Sequence, residues 1–128
     1  SRSIAMTQQE IGYHILRLGL ATLFLWFGFS QLLDSVNWVS WVPEWAVSLL
    51  HIPPAMIVLA NGVFEVVAGS LIALNIWTRW ASLALAAHLA LITIEIGANA
   101  IGVRDFGLTL ATLALAFLNG EKKEAPQI

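Results

Sequence analysis

Apolar residues in this chain are gathered into four long runs and do not alternate with polar ones. The runs cover residues 12–33, 55–77, 80–101 and 103–118, and they consist mainly of Leu, Ile, Val, Ala and Phe. Crossing the apolar part of a bilayer takes about 20 helical residues, with ~17 as a practical minimum. A strand of a membrane barrel would instead alternate over ~10 residues. The pattern predicts an all-α integral membrane protein, a four-helix bundle whose fourth helix is the shortest.

The breaks between these runs carry residues that are typical of helix ends. Pro53 and Pro54 suit the start of the second helix, because proline lacks the N–H group that a helix interior needs. Residues 75–79 predict a tight turn, and Asp105 favours the first turn of the last helix. Residues 120–128 predict a solvated tail. All 128 residues are therefore expected to form one membrane domain.

The sizeable loop between the first two helices, residues 35–51, is rich in tryptophan. It contains three of the six tryptophans of the chain, Trp38, Trp41 and Trp45. Tryptophan prefers the headgroup region, where its ring is buried and its N–H group is hydrated. We expect the loop to lie on the membrane surface as a short helix that starts near Pro43, either as a plain anchor or as a lid that faces a ligand.

The composition excludes several classes of protein. Hydrophobic residues make up 59% of the chain and charged residues 11%, whereas soluble domains are nearer to half apolar and a quarter charged. The net charge of −2 and six scattered basic residues exclude a nucleic-acid partner, because a phosphate backbone requires a basic surface. The chain has no cysteine, which excludes disulfides, thiol redox chemistry and iron–sulfur ligation.

The basic residues predict an orientation. With four spans, both termini and the second loop lie on the same side of the membrane. That side has four basic residues and the other side has one, Arg104. The four are Arg2, Arg79, Lys122 and Lys123. The positive-inside rule then predicts a multi-pass protein of the cell inner or plasma membrane, with both termini in the cytoplasm.

Each predicted helix carries one stripe of polar side chains, spaced so that they share a helical face. The stripes are His14, Arg17 and Gln31 in the first helix, Asn61, Glu65 and Asn75 in the second, His88, Glu95 and Asn99 in the third, and Asp105, Thr109 and Thr112 in the fourth. An unpaired charge in hydrocarbon costs several kcal/mol, so the polar faces are expected to point inward and the apolar faces toward lipid.

Depth along the helices predicts which polar groups meet. Arg17 lies about 8 Å and Glu65 roughly 17 Å from the same end of the bundle, a gap that an arginine side chain can bridge. We therefore expect an Arg17–Glu65 ion pair with His88 nearby, which either locks the bundle or belongs to a ligand-binding or proton-handling site. The candidate site residues are Arg17, Gln31, Asn61, Glu65, His88, Glu95 and Asn99.

The sequence predicts no metal and no covalently bound cofactor. His14 and His88 differ by roughly 9 Å in depth, so they are poorly placed to be the two axial ligands of a haem. Gly-rich phosphate loops and HExxH motifs are absent from the sequence. Without a residue set that carries electrons, the chain is not expected to be catalytic alone.

The order of short motifs resembles the DoxX family of small four-helix membrane proteins. The resemblance covers roughly residues 11–117, and the motifs are RLGL at 17–20, FGFSQLLD at 27–34, NGVFEVVAG at 61–69, TRWA at 78–81 and GVRDFGL at 102–108. The family often has Lys at the position of Gln31. The resemblance implies a membrane subunit near quinone redox chemistry, since relatives include the small subunit of a thiosulfate:quinone oxidoreductase.

Three functions remain open from the sequence. The first is a membrane subunit of a redox complex that binds a quinone- or lipid-like molecule or anchors a redox partner. The second is a purely structural or assembly subunit. The third is a carrier for a small acid or a proton-coupled solute. The expected partners are the lipid bilayer and other protein subunits of a membrane or redox complex, and the candidate cofactor is a quinone.

Overall fold

The computed structural model describes residues 6–96 and 99–124, except for the side chains of residues 95, 96 and 119–124. This part of the chain forms six helices and no strand, so the all-α prediction is confirmed. The helices are α1 (Gln8–Leu33), a 3₁₀ helix (Ser35–Trp41), α2 (Glu44–Leu50), α3 (Pro54–Leu74), α4 (Thr78–Ile96) and α5 (Ala100–Glu124).

Three of these helices are long and apolar enough to cross a membrane. They are α1, α3 and the Ala100–Leu118 part of α5. The described apolar part of α4, Thr78–Ile94, is shorter. At ~1.5 Å per residue it spans about 26 Å, slightly less than the ~30 Å apolar core of a bilayer. The structure therefore bears out three of the four predicted spans by length and composition.

The first long helix begins earlier than predicted, at Gln8 instead of residue 12. Thr7 and Glu10 form a reciprocal cap at this end. The hydroxyl of Thr7 accepts a hydrogen bond from Glu10 N at 3.0 Å, and the Glu10 carboxylate accepts one from Thr7 N at 2.9 Å. Such a capping box satisfies N–H groups that have no partner inside the helix. The predicted start followed the apolar run and missed this polar first turn.

The second membrane helix ends earlier than predicted, at Leu74 instead of residue 77. Asn75 adopts the left-handed conformation with φ 60°, which asparagine tolerates at helix C-termini. Its Oδ1 atom accepts a hydrogen bond from the Thr78 hydroxyl at 2.9 Å. The next helix accordingly starts at Thr78, two residues before the predicted position.

The last helix is longer than predicted, and its prediction as the shortest was wrong. It has 25 residues, begins at Ala100 instead of residue 103, and continues to Glu124. The side chain of Asn99 accepts a hydrogen bond from Gly102 N at 2.9 Å, which caps the first turn. Residues 121–124 are Glu and Lys, which are good helix formers. The predicted tail therefore starts as helix, and residues 125–128 lie outside the described residues.

The predicted third helix, 80–101, also requires correction. Its counterpart α4 ends at Ile96, and residues 100 and 101 belong to α5. The intervening residues 97 and 98 lie outside the described part of the chain.

The long helices pack in two extensive pairs. α1 packs along α3 and α4 packs along α5, and shorter contacts join α3 to α4 and α1 to α5. The buried apolar side chains come from all four helices and include Leu20, Phe24, Ile72, Leu85 and Leu115. The outer surface carries many large exposed hydrophobic residues, as expected of a surface that faces lipid.

Glycines bring α1 and α3 into backbone contact. A Cβ atom added to Gly28 would lie 2.9 Å from Val66 N and 3.0 Å from Gly62 O. A Cβ atom added to Gly62 would lie 3.0 Å from Gly28 O. Small residues allow such close approach of membrane helices, where packing contacts replace the hydrophobic effect as the driving force.

The tryptophan-rich segment contains the short helix expected near Pro43. That helix is α2, with Pro43 at its N-cap position, and the 3₁₀ helix precedes it. The indole N–H of Trp38 donates to the Ser30 hydroxyl at 3.0 Å, which ties the 3₁₀ helix to α1. Trp41 and Trp45 are each more than half exposed, as expected of side chains that lie in a headgroup layer.

Candidate functional site

Arg17 lies in α1 and its guanidinium reaches the last turn of α3. Nη1 donates to the backbone carbonyl of Ile72 at 2.8 Å and to that of Ala73 at 2.7 Å. The last carbonyls of a helix have no partner within it and carry partial negative charge. Arg17 is buried, so these carbonyls provide the acceptors that solvent would provide elsewhere.

The predicted Arg17–Glu65 ion pair is therefore wrong. Glu65 lies seven residues before Ile72 on α3, a separation of about 10 Å along the helix axis. The carbonyls of Ile72 and Ala73 at the end of α3 are closer to Arg17, and they use two of its N–H groups. The sequence estimate of depth placed the two charges in reach of each other because it did not include these backbone acceptors.

Three further polar side chains lie at this end of α1 and α3. The Nδ1 atom of His14 accepts a hydrogen bond from Arg17 Nε at 3.2 Å and lies 3.0 Å from Nη2. The Tyr13 hydroxyl donates to Asn75 Oδ1 at 3.0 Å. We call Tyr13, His14, Arg17 and Asn75 the end cluster. It joins the start of α1 to the end of α3, so its polar groups act as a clamp between the two helices.

A second polar group extends from the last turn of α1 to the middle of α3 and α4. It consists of Gln31 from α1, Asn61 and Glu65 from α3, and His88 from α4, and we call it the central cluster. The Asn61 side chain donates to Gln31 Oε1 at 2.7 Å. Glu65 lies one turn further along α3, and its Oε2 atom is 3.9 Å from Nε2 of His88. The central cluster thus connects three of the four long helices.

The Glu65–His88 pair has unused hydrogen-bonding capacity. A separation of 3.9 Å is too long for a hydrogen bond. The Asn61 side chain also interacts with the Glu65 carboxyl. Among the described residues, however, Glu65 Oε1 and His88 Nε2 are buried and have no hydrogen-bond partner. Most buried polar atoms in proteins are paired, so these two atoms can still bind a polar group.

Phe64 is a member of this region that the polar-stripe analysis missed. Its ring meets the His88 imidazole edge to face, with centroids 5.3 Å apart. It directly precedes Glu65, but adjacent residues of a helix do not share a face, so the polar stripe did not include it. Its direction toward α4, and not toward lipid, depends on how the helices pack.

The structure divides the predicted site. It brings Gln31, Asn61, Glu65 and His88 together and places Arg17 in the end cluster. Asn99 lies at the start of α5, where its side chain caps that helix. The side chain of Glu95 lies outside the described residues.

An open groove of about 360 Å³ lies on the outer face of α1. Its lining contains none of the predicted site residues and consists of Leu25, Trp26, Phe29, Ser30 and Leu33. The groove is almost entirely apolar and lies at the same end of α1 as the tryptophan-rich segment.

These features define an integral membrane protein, with apolar helices outside and polar groups held between them. The DoxX family model matches residues 12–100. The match covers more than half of the chain, and the chain belongs to the DoxX family, as its motifs indicated. No curated protein and no solved structure matches the chain.

Proposed function

We propose that this protein is a membrane subunit linked to quinone redox chemistry, and that it binds a quinone- or lipid-like molecule at the central cluster. The observation that carries the proposal is the Glu65–His88 pair, in which one buried atom of each side chain has no hydrogen-bond partner among the described residues. Membership of the DoxX family adds support, because relatives include the small subunit of a thiosulfate:quinone oxidoreductase.

The chemistry of the pair suits such a ligand. An imidazole N–H group donates to a carbonyl oxygen, and a carboxylate accepts from a hydroxyl. A quinone presents a carbonyl oxygen to such a site, and a quinol presents a hydroxyl. The apolar ring of Phe64 packs against the polar pair at His88. A few polar groups in an apolar wall is the usual composition of a site for a hydrophobic ligand.

The proposal includes a partner protein. The sequence has no cysteine, and His14 and His88 lie on different helices at different depths. Electrons would therefore reach a bound quinone from a redox partner. The residues of this chain would bind the ring, exclude water from it and hold a proton near its oxygen.

We also propose that α4 crosses the membrane in addition to the three longer helices, which gives four spans. Both termini then lie in the cytoplasm. The basic residues support this orientation, because four of them lie on the proposed cytoplasmic side and one, Arg104, lies on the other. Single cysteines at Gln8 and Ser40 test it, because the chain has no other cysteine. An impermeant maleimide should label Ser40→Cys in intact cells and should label Gln8→Cys only after lysis. Labelling of both before lysis would exclude the topology.

Thermal stability in detergent tests the ligand site. Decylubiquinone should raise the melting temperature of the purified protein, and Glu65→Gln and His88→Ala should reduce that rise. Asp105→Asn is the matched control, since Asp105 is a buried acid on α5 outside the central cluster. It should keep the rise seen in the unmodified protein.

The two alternative functions give different results. A protein that responds to no quinone and still co-purifies with one partner would be a structural or assembly subunit. Uptake of a small acid by proteoliposomes, abolished by Glu65→Gln, would indicate a carrier.

A further inference from the structure

We propose that the ligand enters from the bilayer through the contact between α3 and α4, and that this entrance accepts a flat ring carrying a hydroxyl or carbonyl oxygen. We call this contact the α3–α4 seam. The inference deepens the proposed function and rests on it, because it assigns a route and a ligand shape to the same site.

The seam is the side from which Glu65 can be reached. On the opposite side of α3, Gly28 and Gly62 bring the α1 and α3 backbones together, with no room for even one added methyl group. α3 and α4 touch over a shorter length. A ligand in the bilayer therefore meets less packing between α3 and α4 than between α1 and α3.

Exposure gives the direction of entry. The His88 side chain is 27% exposed and the Glu65 side chain is 5% exposed. His88 thus extends from the surface of the protein to within 3.9 Å of the buried carboxyl. A ligand that enters along the His88 imidazole reaches Glu65 Oε1 and His88 Nε2, the two atoms without a hydrogen-bond partner among the described residues.

Phe64 determines the shape that fits. Its half-buried ring packs edge to face against His88 and lies next to Glu65 along α3. Aromatic rings prefer such edge-to-face or offset contacts with other rings. A flat ligand ring placed against Phe64 would stack on it, while the oxygen of the ligand forms a hydrogen bond with His88 or Glu65. A lipid chain would gain the apolar contact but not the ring stacking.

The rim of the entrance contains two exposed side chains of α4, one small and one large. Ala84 and Leu91 lie one turn before and one turn after His88 on the same helical face, and both are exposed. A larger side chain at Ala84 would narrow the approach to His88. It would project outward and would leave the core of the bundle unchanged.

The test measures how fast decylubiquinone quenches tryptophan fluorescence in the purified full chain. Ala84→Phe should lower the association rate severalfold, with a smaller change in the equilibrium dissociation constant. Phe64→Ala should weaken binding roughly three- to tenfold through the loss of ring stacking. Ala114→Phe is the control, because Ala114 is exposed on α5. Melting temperatures without quinone check that each variant is folded.

The outcomes separate the route from the function. Normal association rates for folded Ala84→Phe and normal affinity for folded Phe64→Ala would overturn the entrance, while the loss of binding in Glu65→Gln would still support the proposed function. Equal slowing by Ala114→Phe would also overturn it. Failure of decylubiquinone to bind the unmodified protein would overturn both proposals.

Discussion

The two sides of α3 are built differently. On the α1 side the backbones touch at Gly28 and Gly62, and Arg17 donates to two carbonyls at the end of α3. On the α4 side, Glu65 and His88 lie 3.9 Å apart and each has a buried atom without a partner among the described residues. One helix thus carries a satisfied, tightly packed contact on one side and an unsatisfied one on the other.

The difference bears on which polar groups stabilise the fold and which belong to the proposed ligand site. Both Arg17 and Glu65 are buried, and burial alone would give them the same importance. A buried polar group left without a partner costs about 1–3 kcal/mol, so an unsatisfied pair does not stabilise the fold. We infer that Arg17 holds the helices together and that Glu65 and His88 serve a ligand. Four substitutions test this contrast.

Arg17→Leu is expected to have the largest effect. It removes the two hydrogen bonds that a charged donor makes to the carbonyls of Ile72 and Ala73, and Ile72 O keeps its bond from Asn75 N. The loss of unfolding free energy should be about 3 kcal/mol or more, measured by unfolding in mixed detergent. Arg17→Lys, which keeps the charge, should lose less. Unchanged stability in Arg17→Leu would show that the end cluster is not a clamp.

Gly28→Ala is expected to rank second. The added methyl group would meet the backbone of α3 at about 3 Å, and such overpacking typically costs about 1–3 kcal/mol. The control is Gly19→Ala on the same helix, where nothing lies within 4 Å of the added atom. That change should be neutral or stabilise by up to ~1 kcal/mol, since alanine favours helix. Equal effects of the two substitutions on thermal unfolding would contradict the close contact.

Gln31→Leu should lower the free energy of unfolding by less, about 1–2 kcal/mol, because one N–H of the Asn61 side-chain amide loses its acceptor. The double variant Gln31→Leu with Asn61→Leu removes both partners and should recover part of that loss. A double-mutant cycle measures the coupling between the two residues. Additive losses would mean that the 2.7 Å hydrogen bond contributes nothing to stability.

Glu65→Gln should have the smallest effect on stability, below about 1 kcal/mol, since Oε1 has no hydrogen bond to lose and glutamine keeps the shape of the side chain. The same variant is expected to lose quinone binding. Its unfolding should be compared directly with that of Arg17→Leu. A loss as large as that of Arg17→Leu would place Glu65 among the structural residues and remove the contrast between the two sides of α3.

The sequence by itself determined the class of the protein and most of its elements. Long apolar runs with few charges specify membrane helices because backbone groups in hydrocarbon must be paired within each segment. The Pro53-Pro54 start and the short helix after Pro43 follow from the backbone chemistry of proline. Helical spacing also placed the polar residues of each helix on one face, but it did not group Gln31, Asn61, Glu65 and His88 apart from Arg17. Errors at helix ends arose where polar first turns, such as Thr7–Glu10, lie outside the apolar run.

Only the tertiary structure decided which polar groups are partners. Helical periodicity defines the face of a residue and its depth to a few ångströms, whereas a hydrogen bond requires a distance of about 3 Å and a suitable angle. The sequence also could not show that the end of α3 would present two carbonyls to Arg17. Those backbone acceptors compete with side chains, and they exist only once the helix ends at Asn75 and packs against α1. This competition separated Arg17 from Glu65 and left the carboxyl facing His88.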